Sequence, residues 1–133
     1  MARTHEKVRY ARESKFREYT PVTAARDVEQ TFRVLEGRWK LLILFHLFGG
    51  KILRFSELER AIPAISQKML IQQLRQMESD GMVRRIVHHQ VPPKVEYALT
   101  DWGQALCPAL DALLKWAALR EEMADGVAIA SKE

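Results

Sequence analysis

Lys68, Gln72 and Arg75 fall at i, i+4 and i+7, so any helix that carries them presents all three on one side. Glutamine can pair bidentately with adenine, and arginine or lysine with guanine, so such a row is suited to reading base edges in a major groove. Ser66 precedes the row and can cap the helix, and the free N–H groups of that first turn favour a phosphate. Gln67 stands beside them, and Gln73 is a further candidate for a backbone or base contact. A second basic set follows at Arg84, Arg85, His88, His89 and Lys94. On a hairpin these side chains would lie over phosphates or in the minor groove. Taken singly, the first set is an ordinary solvated helix face and the second an edge hairpin protected by charge. Their order along the chain favours DNA reading.

The remaining chemistry is sparse. His88-His89 with Glu96 invites a metal, but adjacent strand residues point to opposite faces, so no metal site is expected. The sequence has no G-x-S-x-G, P-loop, H-E-x-x-H or glycine-rich nucleotide fingerprint. Neither catalytic residues nor a cofactor are expected.

The elements that must position these residues follow from periodicity and punctuation. Val28, Phe32 and Leu35 recur at helical spacing in a first helix beginning near Ala24, punctuated by Gly37. Residues 39–48 are almost wholly apolar, as for a central buried helix ended by Gly49-Gly50. Ser56 and Glu59 have capping-box spacing, which predicts a third helix starting at Ser56 with Leu58 and Ile62 inward. Pro63 stops it. In the fourth helix Leu70, Leu74 and Met77 form the core stripe, and Asp80-Gly81 ends it. Residues 83–89 and 94–99 are strand candidates, with the hairpin tip near Pro92-Pro93 because proline cannot donate to a ladder. Thr100 can cap a last helix over residues 101–122, kinked or restarted at Pro108. The helix–turn–helix followed by a basic hairpin is the order that a winged helix-turn-helix requires.

Composition sets the frame. The 133 residues carry 47% hydrophobic and 29% charged side chains, ordinary for one soluble globular domain. The longest apolar run, Leu41 to Phe48, is interrupted by His46 and is far short of the roughly 20 residues of a membrane span. No secretory signal is expected, and the single cysteine, Cys107, excludes an internal disulfide framework, so the cytoplasm is the expected compartment. The net charge of +4 is unevenly spread. Residues 66–94 hold five Lys/Arg against two acids, whereas residues 101–133 hold three against six. That asymmetry favours a one-sided approach to a polyanion. Residues 1–22 read as a basic arm, possible disorder included, residues 23–122 as the folded domain and residues 123–133 as a flexible tail. The last helix carries Leu106, Leu110, Leu113, Trp116 and Ala117, a broader apolar surface than one core contact needs. With Val28 and Phe32 these predict a homodimer interface.

Several segments together resemble the HxlR family of bacterial transcriptional regulators, relatives of the MarR group. They are Glu36-Gly37-Arg38-Trp39-Lys40-Leu41-Leu42-Ile43-Leu44, Arg54-Phe55-Ser56-Glu57-Leu58, Ile65-Ser66-Gln67-Lys68-Met69-Leu70, Asp80-Gly81-Met82-Val83 and Val91-Pro92-Pro93-Lys94-Val95-Glu96-Tyr97. The resemblance spans residues 27–120. It implies a mainly α fold with a small β-hairpin, a winged helix-turn-helix with additional N- and C-terminal dimerisation helices. It also implies a homodimer on a palindromic operator, often beside a gene concerned with reactive aldehydes, quinones or oxidants. Many members carry a sensing cysteine where this chain has Arg26, so the resemblance does not bring thiol sensing by that route.

The expected function is therefore a sequence-specific, duplex-DNA-binding regulator. One alternative is a winged-helix module that contacts protein through the same basic face. Another is a regulator responsive to a small-molecule effector held between Trp39, Phe45, Trp116 and the partner subunit.

Overall fold

A computed structural model describes residues 18–132, with side-chain surroundings through residue 125. The described residues fall into two compact units, divided between Arg38 and Trp39.

Within the first unit, α1 (Pro21–Leu35) starts at a reciprocal cap. The Thr23 N–H donates to Thr20 Oγ1 (3.2 Å) and the Thr20 N–H to Thr23 Oγ1 (3.0 Å). Proline at the first helical position needs no partner for its nitrogen, which is why the helix begins three residues before the expected Ala24. Residues 1–17 of the expected basic arm lie outside the described residues, and residues 21 and 22 belong to α1.

The second unit contains α2 (Lys40–Leu47), β1 (Leu53–Arg54), α3 (Phe55–Ala61), α4 (Gln67–Ser79), β2 (Val83–His88), β3 (Lys94–Leu99), α5 (Asp101–Gln104) and α6 (Cys107–Lys132). Its core gathers Ile43, Leu44 and Leu47 of α2, Leu58 of α3, Ile62 and Ile65 of the following turn, and Leu70, Leu74 and Met77 of α4. Helix α2 buries one face only: Leu41, Leu42 and Phe45 remain exposed. A nearly all-apolar run, broken only by the half-buried His46, says little about which side faces water, so the expectation of a central buried helix is corrected to one buried on a single face.

The strands form one antiparallel sheet in the order β1-β3-β2. Cross-strand pairs run from Val83↔Leu99 at the base to His88↔Lys94 at the tip, and Leu53↔Tyr97 and Arg54↔Glu96 add the short third strand. That strand corrects the start of α3. Ser56 does not cap it; Glu57 Oε1 accepts from the Arg54 N–H at 2.7 Å, so the helix starts at Phe55, directly from β1. The final helix is also revised. Helix α5 is short, α6 restarts one residue before Pro108, and it continues through residues 123–132, where a flexible tail was expected.

Candidate nucleic-acid interface

Ser66 fixes where α4 begins. Its Oγ accepts from the Met69 N–H at 3.1 Å, satisfying one of the helix's orphan donors. The turn before it is closed by the Ile65 N–H donating to the Ile62 carbonyl (3.1 Å), with both isoleucines buried. At the other end Gly81 takes φ +83°, its N–H bonding the Glu78 carbonyl (3.0 Å) while the Met82 N–H reaches the Met77 carbonyl (2.9 Å). Only glycine adopts that conformation cheaply, and it reverses the chain straight into β2.

Between these caps α4 is two-sided. Leu70, Leu74 and Met77 are at most 1% exposed, whereas Gln67, Lys68, Gln72 and Arg75 all lie in the open, lining one shallow hollow together with Ile71. Gln73 does not join them. It is half-buried on the far shoulder, where its Nε2 lies 3.5 Å from Met69 Sδ and its Oε1 is buried. Helical rotation of about 100° per residue places it away from the Lys68, Gln72 and Arg75 row.

The hairpin carries its cations on two faces, because the side-chain period in a strand is two. Arg85 stands opposite Tyr97 and lines, with Gln67, Ile71, Arg75 and Val95, a groove between α4 and the sheet. Arg84, His88 and Lys94 belong to the other face. There Glu96 engages both of the last two: His88 Nε2 lies 2.7 Å from its Oε1 and Lys94 Nζ 3.5 Å from its Oε2. The hydrogen bond from His88, assisted by Lys94, holds the Glu96 carboxyl below the usual carboxylate range. Among the described residues, Arg84 and Arg85 take part in no such ion pair. His89 lies exposed just beyond β2.

Sequence reasoning missed Glu96 as partner of two wing cations. The signal was the i, i+2 spacing of Lys94 and Glu96, with His88 placed opposite Lys94 by the strand pairing. It also missed Ile71 on the exposed side of α4. Among the described residues no cluster of His, Cys, Asp and Glu is arranged to hold a metal ion.

Thr100 ties the base of the hairpin together. Its hydroxyl donates to the Gly81 carbonyl at 2.6 Å and accepts from the Gly103 N–H at 3.0 Å, capping α5. Gly103 is buried against the Met82 carbonyl, where a Cβ would clash with backbone.

Of the candidate dimer residues, Val28 and Phe32 are exposed on α1, and Leu113, Trp116 and Ala117 on α6. Leu106 is half-buried. Leu110 is 6% exposed and belongs to the unit's own core, so it has little surface left for a partner and is removed from that set. Every residue over 111–125 is exposed, including Leu114, Leu119 and Met123. Trp39 is half-buried, while Phe45 and Trp116 are open.

Comparison with known proteins gives a consistent answer. The model of a family described as HxlR-like helix-turn-helix matches residues 34–124. An HTH-type transcriptional regulator of Bacillus subtilis, YtcD, is 55% identical over 92 residues, covering 69% of this chain and 72% of its own length. The reduced form of the redox regulator HypR superposes with a TM-score of 0.66 at 42% identity, over 75% of this chain and 98% of that one. A MarR-family regulator from Enterococcus faecalis superposes with a TM-score of 0.70 at 37% identity, over 74% and 89% of the two chains.

Proposed function

The chain belongs to the HxlR-like helix-turn-helix family and is a transcriptional regulator with a helix-turn-helix DNA-binding domain, and on that premise we propose that it acts as a homodimer on a palindromic operator. Each subunit inserts α4 into a major groove, with Lys68, Gln72 and Arg75 at base edges and Ser66 and Gln67 at the helix start. Arg84, Arg85, His88, His89 and Lys94 of the hairpin meet phosphates or the minor groove. The two recognition helices then stand about one DNA turn apart, roughly 34 Å.

The observation that carries this reading is the two-sidedness of α4: a fully buried apolar stripe opposite an open, polar and non-acidic row, beside a basic hairpin. The paired state is supported by α6, whose Leu113, Leu114, Trp116, Leu119 and Met123 all stand exposed and need cover. Redox control, named for HypR, is not part of the proposal, because the single cysteine Cys107 lies half-buried at the start of α6 and Arg26 occupies the position expected for a sensing thiol. No described helix is long and apolar enough to cross a membrane. The cytoplasm is the compartment we propose.

The test is selection from randomised duplexes, followed by sedimentation of the complex with a selected site. Enrichment of an inverted repeat and two chains per duplex are expected. No preference among duplexes would remove the operator, and one chain per site would remove the homodimer.

A further inference from the structure

We propose that Ile71 is a specificity-determining residue that packs against the 5-methyl group of an operator thymine, an inference that rests on α4 being the recognition helix. Every other exposed position on α4 is polar. Ile71 is 36% exposed in the middle of that surface, flanked by Gln67, Lys68, Gln72 and Arg75 in one hollow. It also borders the groove toward the hairpin, lined by Phe55, Arg85, Val95 and Tyr97. The core does not require it to look outward, since Leu70, Leu74 and Met77 already fill the inward stripe.

The neighbouring side chains discriminate by hydrogen bonding, which suits guanine and adenine. Thymine is different: its major-groove edge offers one acceptor and a methyl group, and only an apolar contact reads the methyl. Isoleucine is suited to that contact because a β-branched side chain in a helix holds one strongly preferred χ1. Its methyl groups are therefore held at a fixed height above α4, and little rotamer freedom is lost when DNA arrives. On its hairpin side Phe55, Val95 and Tyr97 extend the apolar surface around Ile71, in a groove that Gln67, Arg75, Glu78 and Arg85 also line.

The experiment pairs a change in protein with a change in DNA that cannot disturb the fold. Wild type and Ile71→Ala are titrated by fluorescence anisotropy against a selected duplex and against copies in which each thymine in turn is replaced by deoxyuridine. Burial of one methyl group is worth about fourfold in an equilibrium constant, so wild type loses about fourfold at one thymine per half-site. Ile71→Ala loses a comparable factor on the unmodified duplex and becomes indifferent to the methyl at that thymine. A selective wild type that is insensitive to every single deoxyuridine overturns the assignment. So do losses from the variant and from the missing methyl that simply multiply. Absence of any selective duplex for wild type would instead overturn the DNA-reading function itself, and this inference with it.

Discussion

Replacing Glu96 by glutamine should make DNA binding tighter and more dependent on salt. Glu96 sits between His88 Nε2 at 2.7 Å and Lys94 Nζ at 3.5 Å, so its negative charge cancels part of the hairpin's positive field. Glutamine keeps an oxygen to accept from His88 and changes little but the charge. Each additional phosphate neutralised steepens the plot of log K against log salt by about 0.9. If the freed Lys94 neutralises one more phosphate in each subunit, the slope of a dimer steepens by about 1.8. Across 50 to 200 mM salt that is an extra change of about twelvefold in affinity. Anisotropy titrations on a non-operator duplex at four salt concentrations measure it directly. Lys94→Ala should flatten the slope more in the Glu96→Gln background than in wild type, because there its charge is no longer partly cancelled. An unchanged slope in Glu96→Gln would refute the reasoning, placing this face of the hairpin away from the phosphates.

Arg75→Ala should relax the base preference at one operator position at a cost of about 1–3 kcal/mol, seen as a flattened position in a selected-site profile. Ser66→Ala removes the cap on Met69 N–H and should lower stability by about 1 kcal/mol in urea unfolding. Gly103→Ala places a methyl group against the Met82 carbonyl and should cost about 1–3 kcal/mol by the same measurement, with no compensating gain in binding. Because the folded-state value of Glu96 is lowered, its pairing supports the fold above the ordinary carboxylate range and is lost as pH falls through the lowered value. A carbon-13 titration of the Glu96 carboxyl should therefore show a midpoint below that of an unpaired glutamate, moving upward in His88→Ala.

The sequence carried α4 in most of its detail, because local rules settle it: Ser66 caps, Leu70, Leu74 and Met77 recur on one face, and Gly81 stops. The hairpin was legible for the same reason, with Pro92-Pro93 marking its tip between β2 and β3. What was misread depends on partners distant in sequence. Ser56 and Glu59 had the spacing of a cap, yet pairing of Leu53 and Arg54 with β3 set the start of α3 earlier. A two-residue strand is too short to show alternation. The polar residues of α2, a buried Lys40 and a half-buried His46, mark Leu41, Leu42 and Phe45 as outward only weakly. The cancelling of Lys94 by Glu96 follows from strand geometry that composition alone does not contain. Ile71 escaped because an apolar residue near a core stripe reads as core until its exposure is seen.

The Thr100 junction also has a mechanical meaning. One hydroxyl joins the last turn after α4 to the first turn of α5, and only two residues separate α5 from α6. At 26 residues α6 is about 39 Å long, attached at one end to the base of the DNA-reading unit. It is a long arm on a short pivot. A tilt of about 10° at Thr100 carries its far end through about 7 Å, a distance comparable to two base-pair steps. Any tilt at that base would thus be magnified along the exposed length of α6.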